Sequence, residues 1–224
     1  ASVVGLVVIL AVAFAVPETR ARNAAAPRGV FAGYKSLLRR PRFVGFMLQP
    51  GMMSAAFYTQ APAASSLAAE HLGADAAKIG VWFFAFPIGF MAGSFISGRI
   101  GASRSIEFMT ILGGVIGVAN GVLLGAWLYF GGVSMAALYI PGFFVSLAQR
   151  LSMPYAQGAS MAVDTELAGS ASGAVVFSQF FWPSALQELT GVLADGTWVP
   201  MAAVHFAAVT VALLAGWMAA RTTD

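Results

Sequence analysis

Six apolar stretches, at about 43–66, 79–98, 106–130, 134–160, 170–192 and 199–220, are each long enough to cross a bilayer as a helix of roughly 20 residues. They leave little chain for anything else. A backbone in hydrocarbon must satisfy its own polar groups, and no barrel-like alternation is present, so the stretches read as helices. Charged residues make up 9% of the chain and hydrophobic residues 59%, against about 25% and roughly 45–50% in an average soluble domain. The expected fold is all-α, a polytopic integral membrane protein surrounded by lipid. A further apolar run, "ASVVGLVVILAVAFAV", is slightly short for a crossing and is followed by "PETRAR" with no basic segment before it, unlike a signal peptide. It reads as the end of a spanning helix whose beginning is missing. The expected division is 1–16 as that helix end, 17–42 as a linker and 43–224 as a six-helix bundle.

The twelve Lys and Arg residues test this topology, because cytoplasmic loops carry the excess. Arg20, Arg22, Arg28, Lys35, Arg39, Arg40 and Arg42 lie in the linker, Arg99 and Arg104 in the next turn on that side, and Arg221 in the tail. Lys78 alone falls on the opposite side, and Arg150 lies inside an apolar stretch. The linker, the 99–105 turn and the C-terminus are therefore expected to face the cytoplasm. Within the linker, Val30, Phe31, Tyr34, Leu37 and Leu38 recur at helical spacing among basic neighbours. That pattern suits an amphipathic helix on anionic headgroups, and a solvated basic connector would read the same way. Cysteine is absent, so no disulfide or thiolate metal site is available.

Gly113, Gly117, Gly121 and Gly125 repeat every fourth residue, as do Gly89, Gly93 and Ser97. Small residues on one helical face let another helix approach closely, which marks a packing seam; a surface that slides during conformational change is the alternative. Gln49, Met53, Ala56 and Gln60 share a face, with Tyr58 and Thr59 nearby and Pro50 and Pro62 interrupting the ladder. Gln179 and Trp182 stand just before Pro183. Polar groups beside helix-breaking prolines point to a water-lined cavity, or to hydrogen bonds between neighbouring helices.

Arg150 is the sharpest individual signal, since an intramembrane cation costs about 2.5–3.5 kcal/mol on insertion scales and is a functional residue by default. If its helix runs to about residue 160 it lies near the middle, on the face of Ser146 and Gln157; a helix ending near 153 would let it snorkel to lipid phosphates. Glu188 is its natural acidic counterpart and the candidate for proton coupling. Asp164 and Glu166 fall in a loop, where a solvated role is expected. No HExxH, phosphate-binding loop or dinucleotide fingerprint occurs. Ser160 and His205 could form an intramembrane serine and base only if they met within hydrogen-bond reach; His205 otherwise reads as a hydrogen-bonded packing residue.

In their order and spacing, "VPETR", "YKSLLRRPRFVGFML", "GVWFFAFPIGFMAGSFISGRIG", "SMPYAQGASMAV" and "AGSASGAVVFSQFF" resemble the C-terminal half of major facilitator superfamily transporters. The nearest type is the drug:proton antiporter of the bicyclomycin/chloramphenicol-resistance kind. The resemblance implies helices six to twelve of a twelve-helix protein of the inner (plasma) membrane, its C-terminus cytoplasmic and its N-terminal half absent from this sequence. It implies proton-coupled efflux of small amphipathic compounds by alternating access, with no cofactor, no enzymatic step and no nucleic-acid partner. Gln49, Tyr58, Gln60, Trp82, Arg150, Gln179 and Trp182 would line the substrate cavity, with the helices at 106–130 and 199–220 outside it. Gly98, Arg99, Gly101 and Arg104 would correspond to the family's cytoplasmic switch motif, the two arginines meeting neighbouring helix ends. Gly98 stands at the motif's acidic position, Ser94 four residues earlier, and Ala102 replaces a basic residue. A topological anchor would look the same. A uniporter or importer of this fold, the serine hydrolase and a non-transporting six-helix scaffold are the alternatives.

Overall fold

The computed structural model describes residues 30–222; the expectation for 1–16 and that for the first part of the linker lie outside the described residues. Eight α-helices occur among the described residues: α1 (Val30–Leu38), α2 (Pro41–Leu72), α3 (Ala76–Phe83), α4 (Ala85–Ile100), α5 (Ile106–Gly131), α6 (Met135–Ala162), α7 (Ala168–Val192) and α8 (Val199–Arg221). Short 3-10 turns at Gly101–Ser103 and Thr165–Leu167 join some of them, and there is no strand among the described residues. The all-helical expectation holds. Ala76–Ser103, Ile106–Gly131 and Val199–Arg221 are long and apolar enough to cross a membrane, which marks a membrane-embedded protein. The other three long helices, α2, α6 and α7, carry the glutamines and have prolines in their interiors.

Local chemistry sets the helix boundaries. Pro41 opens α2, where its fixed φ suits the first turn and its missing N–H is not needed. Gly73 closes α2 at φ 57°, in the left-handed region that glycine adopts without a Cβ penalty. Asp75, Ser105 and Ser134 cap α3, α5 and α6, accepting from the backbone N–H of Lys78, Phe108 and Ala137 at 2.8, 3.1 and 3.2 Å. The single helix expected over 79–98 is interrupted at Phe84, between α3 and α4. Pro87 explains the break: it has no N–H for the Phe83 carbonyl, and its ring crowds that carbonyl.

α2 and α6 pack together at the centre of the bundle. α5 lies between α6 and α8, and α8 returns to α2, so the glycine-seamed helix and the last helix sit together; α4 flanks α6 and α7 flanks α2. Small residues set these contacts. A Cβ at Gly89 or Gly93 would strike the Phe143 or Leu147 carbonyl of α6, and one at Gly113 would strike Ser152. Gly117 and Gly121 lie against Val209 of α8, and Gly117 also against Met53. Gly125 has nothing within 4 Å, so the seam ends before the fourth glycine. α1 is not laid out on its own: Leu37 is fully buried with Phe43, Ala171 and Ala174, and Tyr34 packs beside them.

Candidate functional site

The antiparallel contact between α2 and α6 is a ladder of side-chain hydrogen bonds. Gln49 donates to the Ser152 hydroxyl at 2.9 Å, Gln149 to the Ser54 hydroxyl at 2.8 Å, and Gln60 to the Leu138 carbonyl at 3.1 Å. Ser65 and the Tyr139 hydroxyl meet at 3.3 Å. Of the two readings open for Gln49 and Gln60, both fully buried, the geometry gives the interhelical bond. Each such bond adds about 0.6 kcal/mol inside a membrane bundle. The amide oxygens of Gln49, Gln60 and Gln149 are left without a protein partner, so the seam keeps spare acceptors at its centre. Gln149 and Ser54 have no signature in the sequence, because a single polar residue in an apolar run does not reveal which helix it will face.

Beside this seam runs a chain of rings ending at a cation. α6 continues through Ala162, so Arg150 lies just past its middle, as the longer-helix expectation required. Its side chain is exposed on the surface of the bundle, unlike that of fully buried Ser146. The guanidinium stands 4.8 Å from the centre of the Phe90 ring, within cation–π range. Phe90 and Phe57 are 5.1 Å apart, and Phe57 meets Tyr58 edge-on at 5.1 Å. Tyr58 is 44% exposed. Phe86 extends the chain from Phe57 to Tyr139, whose ring lies 6.5 Å from that of Trp82. Arg150, Tyr58 and Trp82 thus belong to one aromatic tract built by α2, α3, α4 and α6.

Gln179 and Trp182 lie apart from that tract, where α7 packs on α2. A Cβ at Gly51 would meet Ser178 and the Trp182 ring, and Ser178 donates to the Met47 carbonyl at 3.1 Å. Gln179 is half-buried, and its amide nitrogen has no partner. Glu188 is exposed and makes no ion pair with Arg150; among the described residues the ion pairs are Arg40–Asp164 at 2.9 Å and Arg42–Glu107 at 2.7 Å.

Those two pairs organise the Arg-rich end of the bundle. Arg40 also donates to the Val163 carbonyl at 3.0 Å, at the end of α6. Arg42 donates to the Ala219 and Thr222 carbonyls at 3.2 and 3.1 Å, so one guanidinium links the start of α2, the start of α5 and the end of α8. Cations at helix C-termini complement the free carbonyls and the helix dipole. Arg99 and Arg104, for which a helix-end contact and a topological anchor are both open, stack on rings of their own segments, Phe95 at 4.5 Å and Phe108 at 5.3 Å. Gly101 makes room for a neighbouring side chain, because a Cβ there would overlap the Tyr155 hydroxyl, which donates to the Ser97 carbonyl at 2.8 Å. Gly98 faces open space.

Ser160 donates to the Gln157 carbonyl at 2.7 Å. The His205 nitrogens lie 3.1 Å from the Ala56 carbonyl and 3.3 Å from the Asn120 amide, in a fully buried position. Serine and histidine are each engaged elsewhere, and the pair that hydrolysis requires is not formed. His205 is a packing residue bonded across α2, α5 and α8. No group of three or more His, Cys, Asp or Glu side chains suited to a metal ion occurs among the described residues. No protein-family model and no curated protein matches this chain.

Proposed function

We propose that this chain is the C-terminal half of a secondary transporter of the major facilitator type, working by alternating access in the inner membrane with its C-terminus in the cytoplasm. Small amphipathic organic compounds are its substrates, exported in exchange for protons. The observation that carries this reading is Arg150: an exposed cation just past the middle of α6, stacked on Phe90 and continuous through Phe57 with exposed Tyr58. A cation at membrane depth needs a partner, and an aromatic tract leading from it offers an apolar wall that tolerates varied ligands. In this reading Arg150 orients an anionic substrate group or a proton-carrying carboxylate, and Tyr58, Trp82 and Trp182 supply apolar surface. Gln179, whose amide nitrogen has no protein partner, is the candidate hydrogen-bond donor to the substrate, and Glu188 is the candidate acid for proton exchange. Gln49 and Gln60 hold α2 to α6, their spare amide oxygens buried within the seam. Rigid helix pairs rocking about such a site are the usual arrangement in secondary transporters.

The resemblance in sequence order supports the family, and the three strongly apolar helices support the membrane. The test is transport by the complete protein reconstituted in liposomes, driven by an imposed pH gradient and followed with a fluorescent amphipathic dye. Arg150→Ala is expected to abolish or redirect dye movement, and Arg150→Lys to retain part of it. Unchanged proton-driven export by a normally expressed Arg150→Ala protein refutes the assignment.

A further inference from the structure

At the end of the bundle opposite Arg40 and Arg42, α2, α7, the α7–α8 loop and the start of α8 line an open pocket of about 330 Å³. It contains none of the residues assigned above to transport. Four observations give it a chemistry. Thr59 on its wall is 1% exposed, and its hydroxyl has no partner. Thr110, Thr190 and Thr210 each donate to the carbonyl four residues earlier, the common way for a helical threonine to satisfy itself; the Thr59 hydroxyl does not. Glu70 is the only ionisable side chain in the lining, and no Lys or Arg contributes to it. Finally, Leu67 and Met201 are buried and form an apolar stem to the pocket.

Thr59 and Glu70 both stand on α2. Eleven residues are close to three full turns, so the two share a face and lie about 16 Å apart along the axis. The pocket therefore runs along α2 from the exposed Glu70 carboxylate past Leu67 to Thr59, whose unpartnered hydroxyl lies just beneath its surface at the far end. The loop over the mouth is fixed by His71, whose Nε2 lies 2.9 Å from the Gly196 carbonyl.

We propose that this pocket is a binding site for an elongated amphipathic amine: its ammonium at Glu70, its aliphatic stem against Leu67 and Met201, and a hydrogen-bonding group at the far end on Thr59. The site is independent of the transport reading, since it needs no movement of solute through the bundle.

A matched set of probes tests it on the whole chain in lipid nanodiscs by calorimetry, with empty nanodiscs subtracted: α,ω-aminooctanol carries both polar ends, octylamine lacks the hydroxyl, and octanediol lacks the charge. Aminooctanol is expected to bind saturably and most tightly. Glu70→Gln should weaken aminooctanol and octylamine by about threefold to fivefold, the scale of an exposed ion pair, and leave octanediol unchanged. Thr59→Val should weaken aminooctanol and octanediol by about fivefold, the scale of one hydrogen bond, and leave octylamine unchanged. Heats no greater than those of empty nanodiscs, or no loss in either variant, overturn the proposal. A loss common to all three probes in both variants reports damage to the fold instead of recognition, and it overturns the proposal too. Because Glu70 is exposed and Glu70→Gln keeps its shape, that variant retains the fold even if Thr59→Val does not.

Discussion

Replacing Gly93 by alanine measures how tightly α4 is pressed against α6. The new Cβ would lie 2.5 Å from the Leu147 carbonyl oxygen and 3.0 Å from both the Arg150 Cβ and the Leu147 Cα. Carbon atoms in contact prefer about 3.5–4.0 Å, so α4 must retreat by roughly 0.5–1 Å, a gap that forfeits a quarter to a half of each dispersion contact along the seam. The obstacles are backbone and Cβ atoms, which no rotamer change can move aside. Overpacking of this kind costs about 1–3 kcal/mol. Alanine also favours a helix over glycine by about 0.5–1 kcal/mol, and that gain must be removed from the comparison. Gly98→Ala does so, because Gly98 lies in the same helix and a Cβ there would have nothing within 4 Å. Unfolding of both variants by sodium dodecyl sulfate in mixed micelles, followed by tryptophan fluorescence, should place Gly98→Ala at or above the parent and Gly93→Ala below Gly98→Ala by about 1–3 kcal/mol. Equal stability of the two would refute the close α4–α6 contact and, with it, the position of Phe90 under Arg150.

Arg42→Met should lower stability by about 1–2 kcal/mol, after allowance for its partial exposure, and should speed amide exchange in the last turn of α8, whose carbonyls it holds; thermal melts and exchange mass spectrometry check both. A double-mutant cycle on Gln49→Leu and Ser152→Ala should return a coupling of about 0.6–1.7 kcal/mol, and a value near zero would place the two residues apart. Gly101→Ala should break the Tyr155–Ser97 bond and shift the tyrosine's ultraviolet absorption, whereas Gly98→Ala should not. Hydrogen bonds from the Thr197 hydroxyl, then the Thr197 N–H, hold the Asp195 carboxyl below its ordinary value. Its support for the α7–α8 loop is therefore complete above the ordinary carboxylate pKa and is lost as pH falls through the lower folded value. A carboxyl titration by NMR should show that lowered midpoint, and Thr197→Ala, which removes the hydroxyl and keeps the N–H, should raise it part of the way back.

Among the described residues, the long helices and their approximate ends were readable in the chain, because the length of an apolar run is a local property. The small-residue seams were readable for the same reason, except at Gly125, where the repeat continues after the neighbouring helix has diverged. What the sequence concealed depends on partners without a signature. Arg40 and Arg42 could be counted as basic residues, yet their acceptors include the carbonyls of Val163, Ala219 and Thr222, which any residue type would supply. The aromatic tract from Arg150 to Tyr58 joins three helices far apart in the chain, so no spacing rule could have assembled it. Thr59 stands out in the sequence only as a neighbour of Tyr58; its missing back-bond is a property of the folded backbone. The interruption at Phe84 did have a signal, Pro87, three residues further on.

That interruption separates two segments held very differently. α4 is locked to α6 at Gly89 and Gly93, whereas no residue of α3 is buried. Phe84 is thus the joint of this span: a change of tilt in the outer segment can be taken up there, carrying Trp82, without disturbing the α4–α6 contact. A ligand that engages Trp82 would therefore act on this joint, and spin labels placed on either side of Phe84 should report a narrower spread of distances once it binds.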